Sequence, residues 1–394
     1  MKKHLLRAGI IILLGFIFFL VIELYIVKRE LPESINADVL GKLKTGALIT
    51  QEWVSNKGLS LKEASWYRKL MDGDVQCQVC PKMCILSEGD RGDCGVRANV
   101  GGKLRALSYG KPVAVHIDPV EKKPLFHFQP GTPTFSFATV GCNLGCVFCQ
   151  NWTISQALPE DEKAVELSPE AIIKKAKEFQ CKSISYTYAE PIVFYEYMIE
   201  TAKLAHEQGL KNILVTAGYI NPEPARELFK YIDAANIDLK GFTEDYYISY
   251  VKGDLETVKR TIRIAKKMNV WVEITNLVIP EGNDNPDDIR ALSEWVRDSV
   301  GLDTPLHFSR FSPNYKLNDR PPTPTETLEM AHKIAKDVGL QYVYIGNVFG
   351  NQYEDTFCPK CGKMIIDRKG YNIMEYHITE GKCDFCGEKI KGIW

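Results

Sequence analysis

The feature that most constrains this chain is a run of ten residues carrying three cysteines, Gly141-Cys142-Asn143-Leu144-Gly145-Cys146-Val147-Phe148-Cys149-Gln150. The spacing is C-x3-C-x2-C, and the run follows directly on the apolar stretch Phe135-Ser136-Phe137-Ala138-Thr139-Val140. Three thiolates on so short a loop can hold three irons of a [4Fe–4S] cluster. The fourth iron is then left without a protein ligand, because no other cysteine lies nearby in sequence. An iron with an open position chelates a small molecule, which makes a reaction centre of an electron-transfer group. A structural zinc knuckle is the blander reading of the same three cysteines.

Eight further cysteines fall into two sets, Cys77/Cys80/Cys84/Cys94 and Cys358/Cys361/Cys383/Cys386, with Cys181 left over. Close C-x2-C spacings in a chain of 394 residues read as metal ligation rather than as a disulfide framework. The C-terminal set, C-x2-C-x21-C-x2-C with glycine after each pair, predicts a four-thiolate ribbon that takes zinc, with rubredoxin-type iron as the rival. The first set fits either a zinc knuckle or an auxiliary iron–sulfur cluster. Cys181, at the end of a predicted helix, reads as a buried structural thiol.

Beyond the cysteine loop, short β-branched runs alternate with amphipathic helical runs. Strands are expected at 135–140, 183–187, 212–216, 234–239, 270–278, 306–308 and 342–345, and helices at 168–179, 191–208, 222–231, 255–269, 286–300 and 324–338. Ser168 before Pro169 is an N-cap with proline at N1, Thr323 to Glu326 reads as a capping box, and Gly339 closes the last helix. Alternation of this kind implies parallel strands with crossover helices, hence an α/β fold: a partial (β/α)6-type or full TIM-like barrel. An open Rossmann-like sheet is the alternative, although no G-x-G-x-x-G follows a strand. In a barrel the chemistry sits at strand C-terminal ends, which makes Glu190, Thr216, Asp238, Lys240 and His307 candidates for the site that the cysteine loop opens. A buried structural ion pair is the alternative for Asp238 and Lys240. Residues 118–128, with a histidine, two lysines and two aromatics, read as a packed, lysine-rimmed hairpin rather than a lid.

Residues 5–27 hold only Arg7 and Glu23 among apolar neighbours and would span about 34 Å as a helix, so an uncleaved membrane anchor is expected over 1–30. A linker with short helices, including one over 59–70, would follow over 31–75. The remaining divisions are a cysteine-rich segment over 76–132, the barrel over 133–348 and the ribbon over 355–394. A net charge of −1 argues against a nucleic-acid partner. Oxygen-labile cluster chemistry places the body on the cytoplasmic side, against a slight positive-inside bias the other way.

The joint pattern resembles the radical S-adenosylmethionine (SAM) enzymes of the pyruvate formate-lyase-activating-enzyme group, and more narrowly the AmmeMemoRadiSam system radical SAM enzymes. The matching pieces are Cys77-Gln78-Val79-Cys80-Pro81, Cys94-Gly95-Val96-Arg97, Thr139-Val140-Gly141-Cys142-Asn143, Phe148-Cys149-Gln150-Asn151-Trp152, Tyr186-Thr187-Tyr188-Ala189-Glu190-Pro191, Asn236-Ile237-Asp238-Leu239-Lys240-Gly241-Phe242 and His307-Phe308-Ser309-Arg310-Phe311. The resemblance implies that Cys142, Cys146 and Cys149 ligate the [4Fe–4S] cluster, with Phe148 at the motif's aromatic position and SAM on the fourth iron. It places Tyr188, Ala189 and Glu190 where the family's G-G-E segment meets the cofactor. Thr216 and Gly218 match its T-x-G strand end, Asp238 and Lys240 its D-x-K segment, and His307 a contact from the last strands. The implied reaction is reductive cleavage of SAM to a 5′-deoxyadenosyl radical, which takes hydrogen from a protein or a small molecule. An electron donor such as flavodoxin or ferredoxin would be a partner. A membrane-tethered electron-transfer or metal-binding protein using the same cysteines is the second reading.

Overall fold

The structure, a computed structural model, describes residues 49–394 except Phe349 and Asn351. The expected membrane anchor lies outside the described residues. Among those described, no helix is long and apolar enough to cross a membrane.

One eight-stranded sheet organises the body: β1 (Ala114–Pro119), β2 (Pro133–Ala138), β3 (Ser183–Tyr186), β4 (Lys211–Thr216), β5 (Ala234–Asp238), β6 (Trp271–Val278), β7 (Leu306–Arg310) and β8 (Val343–Gly346). Their order across the sheet is their order in the chain. β1 pairs antiparallel with β2, and the remaining pairs are parallel. Sequential order is the winding of a (β/α) barrel, since a Rossmann sheet reverses direction at a switch point. The sheet is nevertheless open, because β1 and β8 do not pair. The open sheet is thus the partial barrel and not the full ring: six strand–helix units begin at β2 through β7, with β8 added at one end and antiparallel β1 at the other. Residues 126–127 pack beside β8 instead, with the Phe126 and Tyr344 rings 4.7 Å apart and His127 Nε2 2.6 Å from the Tyr344 hydroxyl.

The crossover helices are α1 (Pro169–Glu178), α2 (Tyr195–Glu207), α3 (Pro222–Leu228), α4 (Leu255–Lys267), α5 (Pro286–Ser299) and α6 (Thr325–Val338). Three of them, α1, α4 and α5, start at side-chain caps: Ser168 accepts from Ala171 N, Asp254 from Thr257 N and Asn285 from Asp287 N. Gly339, at φ 104°, ends α6 in the left-handed region that a glycine tolerates best. Each helix lays its apolar stripe on the sheet, and Phe135, Phe137, Ile184, Ile237, Ile274 and Phe308 are all at most 1% exposed. Cys181 is buried, as a structural thiol should be.

Two local expectations fail for physical reasons. Residues 59–70 form no helix, because their backbone pairs elsewhere: Ser60 N donates to Leu107 O and Ala64 N to Leu104 O, and Tyr67–Lys69 is a strand against Val75–Cys77. Thr323 does not cap α6. Its hydroxyl donates to Val278 O and accepts from Phe311 N, tying the end of β6 to the loop after β7, while Pro324 takes the N-cap position.

Burial holds two histidines neutral. It brings His127 down to about 4, and it brings His332, with Lys336 nearby, down to about 4 as well. The unfolded chain takes up these protons near pH 6.5, whereas the folded chain does so only near pH 4. Stability therefore falls as pH drops through that window, by up to about 1.4 kcal/mol per pH unit for each histidine. Urea unfolding compared at pH 7 and pH 5 should show His332→Gln losing about 1–2 kcal/mol less than the parent chain. An equal loss in both proteins contradicts the assignment.

Candidate functional site

The cysteine loop leaves the C-terminal end of β2 and is held by backbone on every side. Gly141 N donates to Ile154 O at 3.0 Å, Gly145 N to Val251 O at 3.1 Å, and Val147 N to Tyr250 O at 3.0 Å. Lys316 N donates to Val147 O at 3.0 Å, and the Asn143 amide donates to Tyr219 O at 2.8 Å. Val251 and Tyr250 belong to one π-helical turn, Tyr247–Val251, a widened geometry that frees carbonyls for other partners. Two glycines let this turn approach. A Cβ on Gly253 would lie 2.7 Å from the Leu144 side chain, and one on Gly241 would collide with the Tyr246 ring.

The sulfurs are set in contrasting surroundings. Cys146 is buried, whereas Cys142 and Cys149 are partly exposed. Leu144 N approaches Cys142 Sγ at 3.4 Å, and Ser155 Oγ approaches Cys149 Sγ at 3.3 Å. Burial pushes the Cys142 thiol well above its ordinary range and the Cys146 thiol up to about 12. At neutral pH both groups are therefore held as thiols. The sulfurs are also spread: among the described residues, only the C-terminal cysteines form a group with all ligand atoms within 4.8 Å of one another. A spread trio on one loop suits a multi-iron cluster, where metal atoms separate the thiolates, better than a single zinc ion.

The strand ends β3 to β5 converge on this loop. The Glu190 carboxylate, 2% exposed, accepts from Thr216 Oγ1 at 2.5 Å, Ala217 N at 2.8 Å and Ile192 N at 3.2 Å. It thereby locks the end of β3 to the end of β4. Thr216 Oγ1 in turn accepts from Gly218 N at 2.9 Å, and Gly218 sits at φ 69° where a Cβ would press on Ile237 at 3.0 Å. Tyr188 stands at φ 68°, a left-handed conformation that glycine would adopt without strain. Four contacts hold it there: Asn151 Nδ2 donates to Tyr188 O at 2.7 Å, the Tyr188 hydroxyl donates to Asp118, Lys123 Nζ lies 4.7 Å from the ring centre, and His116 packs edge-on at 5.6 Å.

At the end of β5, Lys240 Nζ pairs with Asp238 Oδ2 at 2.7 Å and lies 6.0 Å from the Phe148 ring centre. Burial works against the Lys240 charge, but Asp238 and the Cys146 sulfur beside it raise its pKa well above the usual lysine value. The side chains of Asn276 and Asn283 fix the intervening backbone by donating to Leu239 O at 2.7 Å and Lys240 O at 2.8 Å. A cation and a carboxylate thus sit next to the Cys146 sulfur and face the Phe148 ring of the loop.

His307 is not brought into this group. Its Nε2 is 2.7 Å from Glu273 Oε2, and its ring stacks on Tyr344 at 5.0 Å and meets Phe126 edge-on at 4.9 Å. Glu273, fully buried, also accepts from Phe126 N and His127 N. The expected cofactor contact is therefore corrected to a member of a buried network. Residues 118–128 are packed as expected, but their lysines do not both rim the surface. Lys123 is 1% exposed and pairs with Asp118 at 2.6 Å, while Lys122 reaches the same carboxylate at 2.9 Å from the outside.

The Tyr246–Gly253 clamp and the contacts of Asn143 and Asn151 have no counterpart in the sequence reading, which names Tyr188 and residues 118–128 but does not join them. The one available signal was the aromatic run Tyr246-Tyr247-Ile248-Ser249-Tyr250 between two glycines in a loop where solvation alone needs no aromatics.

The C-terminal cysteines come together as the spacing predicts. Cys358 Sγ and Cys386 Sγ are 3.6 Å apart, and Cys361 Sγ and Cys383 Sγ are 3.8 Å apart. The two knuckles repeat one geometry: Gly362 N donates to Cys358 O and Gly387 N to Cys383 O, both glycines at φ 71°. Metal–sulfur bonds of about 2.3 Å in a tetrahedron put sulfurs about 3.8 Å apart, which this set matches.

The Radical SAM superfamily pattern matches residues 137–296, from the end of β2 into α5. An uncharacterized protein of Methanocaldococcus jannaschii, MJ0808, is 50% identical over 332 residues, covering 84% of this chain and 99% of that protein. The pyruvate formate-lyase-activating enzyme of Clostridium pasteurianum is 23% identical over 228 residues, covering 53% of this chain and 92% of the enzyme. Among solved structures, a domain of the pyruvate-formate lyase-activating enzyme from Bacteroides vulgatus aligns with 18% identity and a TM-score of 0.37, over 42% of this chain and 99% of that domain. The chain belongs to the radical SAM superfamily, has homology to pyruvate formate-lyase-activating enzymes, and is an enzyme of the radical SAM type.

Proposed function

We propose that the chain binds a [4Fe–4S] cluster on Cys142, Cys146 and Cys149 and uses it to cleave SAM reductively. The observation that carries this reading is the Asp238–Lys240 pair at the end of β5, beside Cys146 and the Phe148 ring. A bound cluster with SAM supplies a 5′-deoxyadenosyl radical that abstracts hydrogen from substrate. The protein's own residues position that chemistry. Glu190 has its oxygens committed to Thr216, Ala217 and Ile192, so its part is to hold the backbone of Tyr188 and Ala189 in place. Thr216 and Gly218 shape the neighbouring turn. Lys240 and Asp238 offer a cation and a carboxylate to the charged groups of the cofactor.

The activating-enzyme relatives support a protein substrate, whose hydrogen the radical would remove, together with a one-electron donor of flavodoxin or ferredoxin type. The C-terminal ribbon takes zinc on Cys358, Cys361, Cys383 and Cys386, and its part is structural.

Anaerobically reconstituted, dithionite-reduced protein should convert SAM to 5′-deoxyadenosine. Lys240→Ala should slow this by about 10- to 100-fold, the cost of losing one charge-assisted contact, while retaining the parent's iron content. No product above a Cys142→Ala control would end the enzymatic reading in favour of an electron-transfer protein. A separate expectation concerns the ribbon. Cys383→Ser should lose about one equivalent of zinc by elemental analysis and become protease-sensitive within residues 356–390, with SAM cleavage reduced far less than by Cys142→Ala.

A further inference from the structure

We infer that Cys77, Cys80, Cys84 and Cys94 hold a second [4Fe–4S] cluster in a chamber that shares a wall with the Cys142 loop. All four line one small cavity, together with Val79, Met83 and Leu86. Short strands preform it: Val75–Cys77 pairs with Ile85–Leu86, Cys77 N donates to Cys84 O at 3.0 Å, and Met83 N to Cys80 O at 3.2 Å.

The spacing of the sulfurs separates the two metals that the sequence leaves open. A single tetrahedral zinc ion needs thiolates about 3.8 Å apart, with every pair in near contact. The C-terminal set meets that condition and is, among the described residues, the one group of three or more ligand atoms within 4.8 Å of one another. The Cys77 set fails the same condition although its four members line one chamber. A cubane places an iron in front of each thiolate and so requires the wider ring.

A second observation points the same way. Arg97 lines the chamber with the four cysteines and is 2% exposed. Only its Nη2 is satisfied, by Glu196 at 2.5 Å and Ser65 O at 3.2 Å, whereas Nε and Nη1 are buried without partners. Buried unpaired guanidinium donors are costly unless a ligand accepts from them. Thiolates and bridging sulfides of a net-negative cluster are such acceptors, and the cation offsets part of their charge.

The chamber adjoins the first cluster site directly. Asn143, between Cys142 and Leu144, is part of its lining, and Cys94 and Cys142 both line the next cavity. A Cβ on Gly141 would lie 2.6 Å from Cys94 O, so the two loops touch through backbone.

The inference stands on residues outside the SAM site and is tested without turnover. The Cys142→Ala/Cys146→Ala/Cys149→Ala variant, reconstituted anaerobically, should keep about four irons per chain. Mössbauer and reduced-state EPR spectra should be those of a [4Fe–4S] cluster, unchanged by added SAM, and further replacement of Cys77 and Cys94 should remove them. High-spin ferrous tetrathiolate signals, from iron in the ribbon, are distinct in the same spectra. The parent holoprotein provides a reading independent of how that variant folds: about eight cubane irons, of which only about half respond to SAM. Zinc at the Cys77 set, a two-iron centre there, or about four irons in the parent that all respond to SAM would overturn the inference.

Discussion

Two backbone hydrogen bonds, Gly145 N to Val251 O and Val147 N to Tyr250 O, hold the central part of the cysteine loop. A loop of this kind forms no regular structure with itself, so its buried N–H groups need acceptors from elsewhere. The π-helical turn after β5 provides them, because widening a helix by one residue releases carbonyls from the usual ladder. That arrangement dictates further choices. Gly241 and Gly253 have to be glycines for the turn to approach, and Tyr246 stacks on Tyr250 at 4.9 Å to replace the packing that a regular helix would have supplied.

Around this clamp, neighbouring strand ends are joined by buried polar groups rather than by apolar contact alone. Glu190 links β3 to β4, Asn283 links the end of β5 to the turn after β6, and Thr323 links β6 to the loop after β7. Each carries several hydrogen bonds, so removing one partner would strand a buried donor or acceptor. The result is a set of rigid strand ends, as a reaction centre needs when its bond-breaking geometry must be held to a fraction of an ångström.

Much of this was legible in the residues. The alternation of β-branched runs with capped amphipathic helices located β2 to β8 and α1 to α6 to within a few residues, because local caps such as Ser168, Asp254 and Asn285 and the 2.0 and 3.6 periods act over short distances. The C-terminal C-x2-C spacings likewise foretold the gathering of Cys358, Cys361, Cys383 and Cys386, because each knuckle is local. What escaped depends on partners far along the chain. Residues 59–70 have helix-compatible composition, yet their backbone finds residues 104–107. Thr323 satisfies the capping-box pattern, yet β6 claims its hydroxyl. His307 sits at a barrel strand, yet a carboxylate 34 residues earlier takes its ring nitrogen. Tyr188 occupies a left-handed position by virtue of Asp118, 70 residues away, and no local rule predicts that.

The lower side of the sheet shows what such distant pairing entails for folding. Glu273 on β6 binds the backbone of Phe126 and His127. His127 Nδ1 in turn reaches Lys391 O across 264 residues at 2.7 Å, and Ile393 N donates to His127 O at 2.8 Å. Arg368 adds a bond to Phe126 O at 2.8 Å from within the ribbon. During synthesis β6 and its buried carboxylate emerge well before the ribbon that completes the layer around residues 126–129. Contacts of this separation close slowly. The cysteine loop and its strands therefore precede in synthesis the residues that complete the layer around residues 126–129.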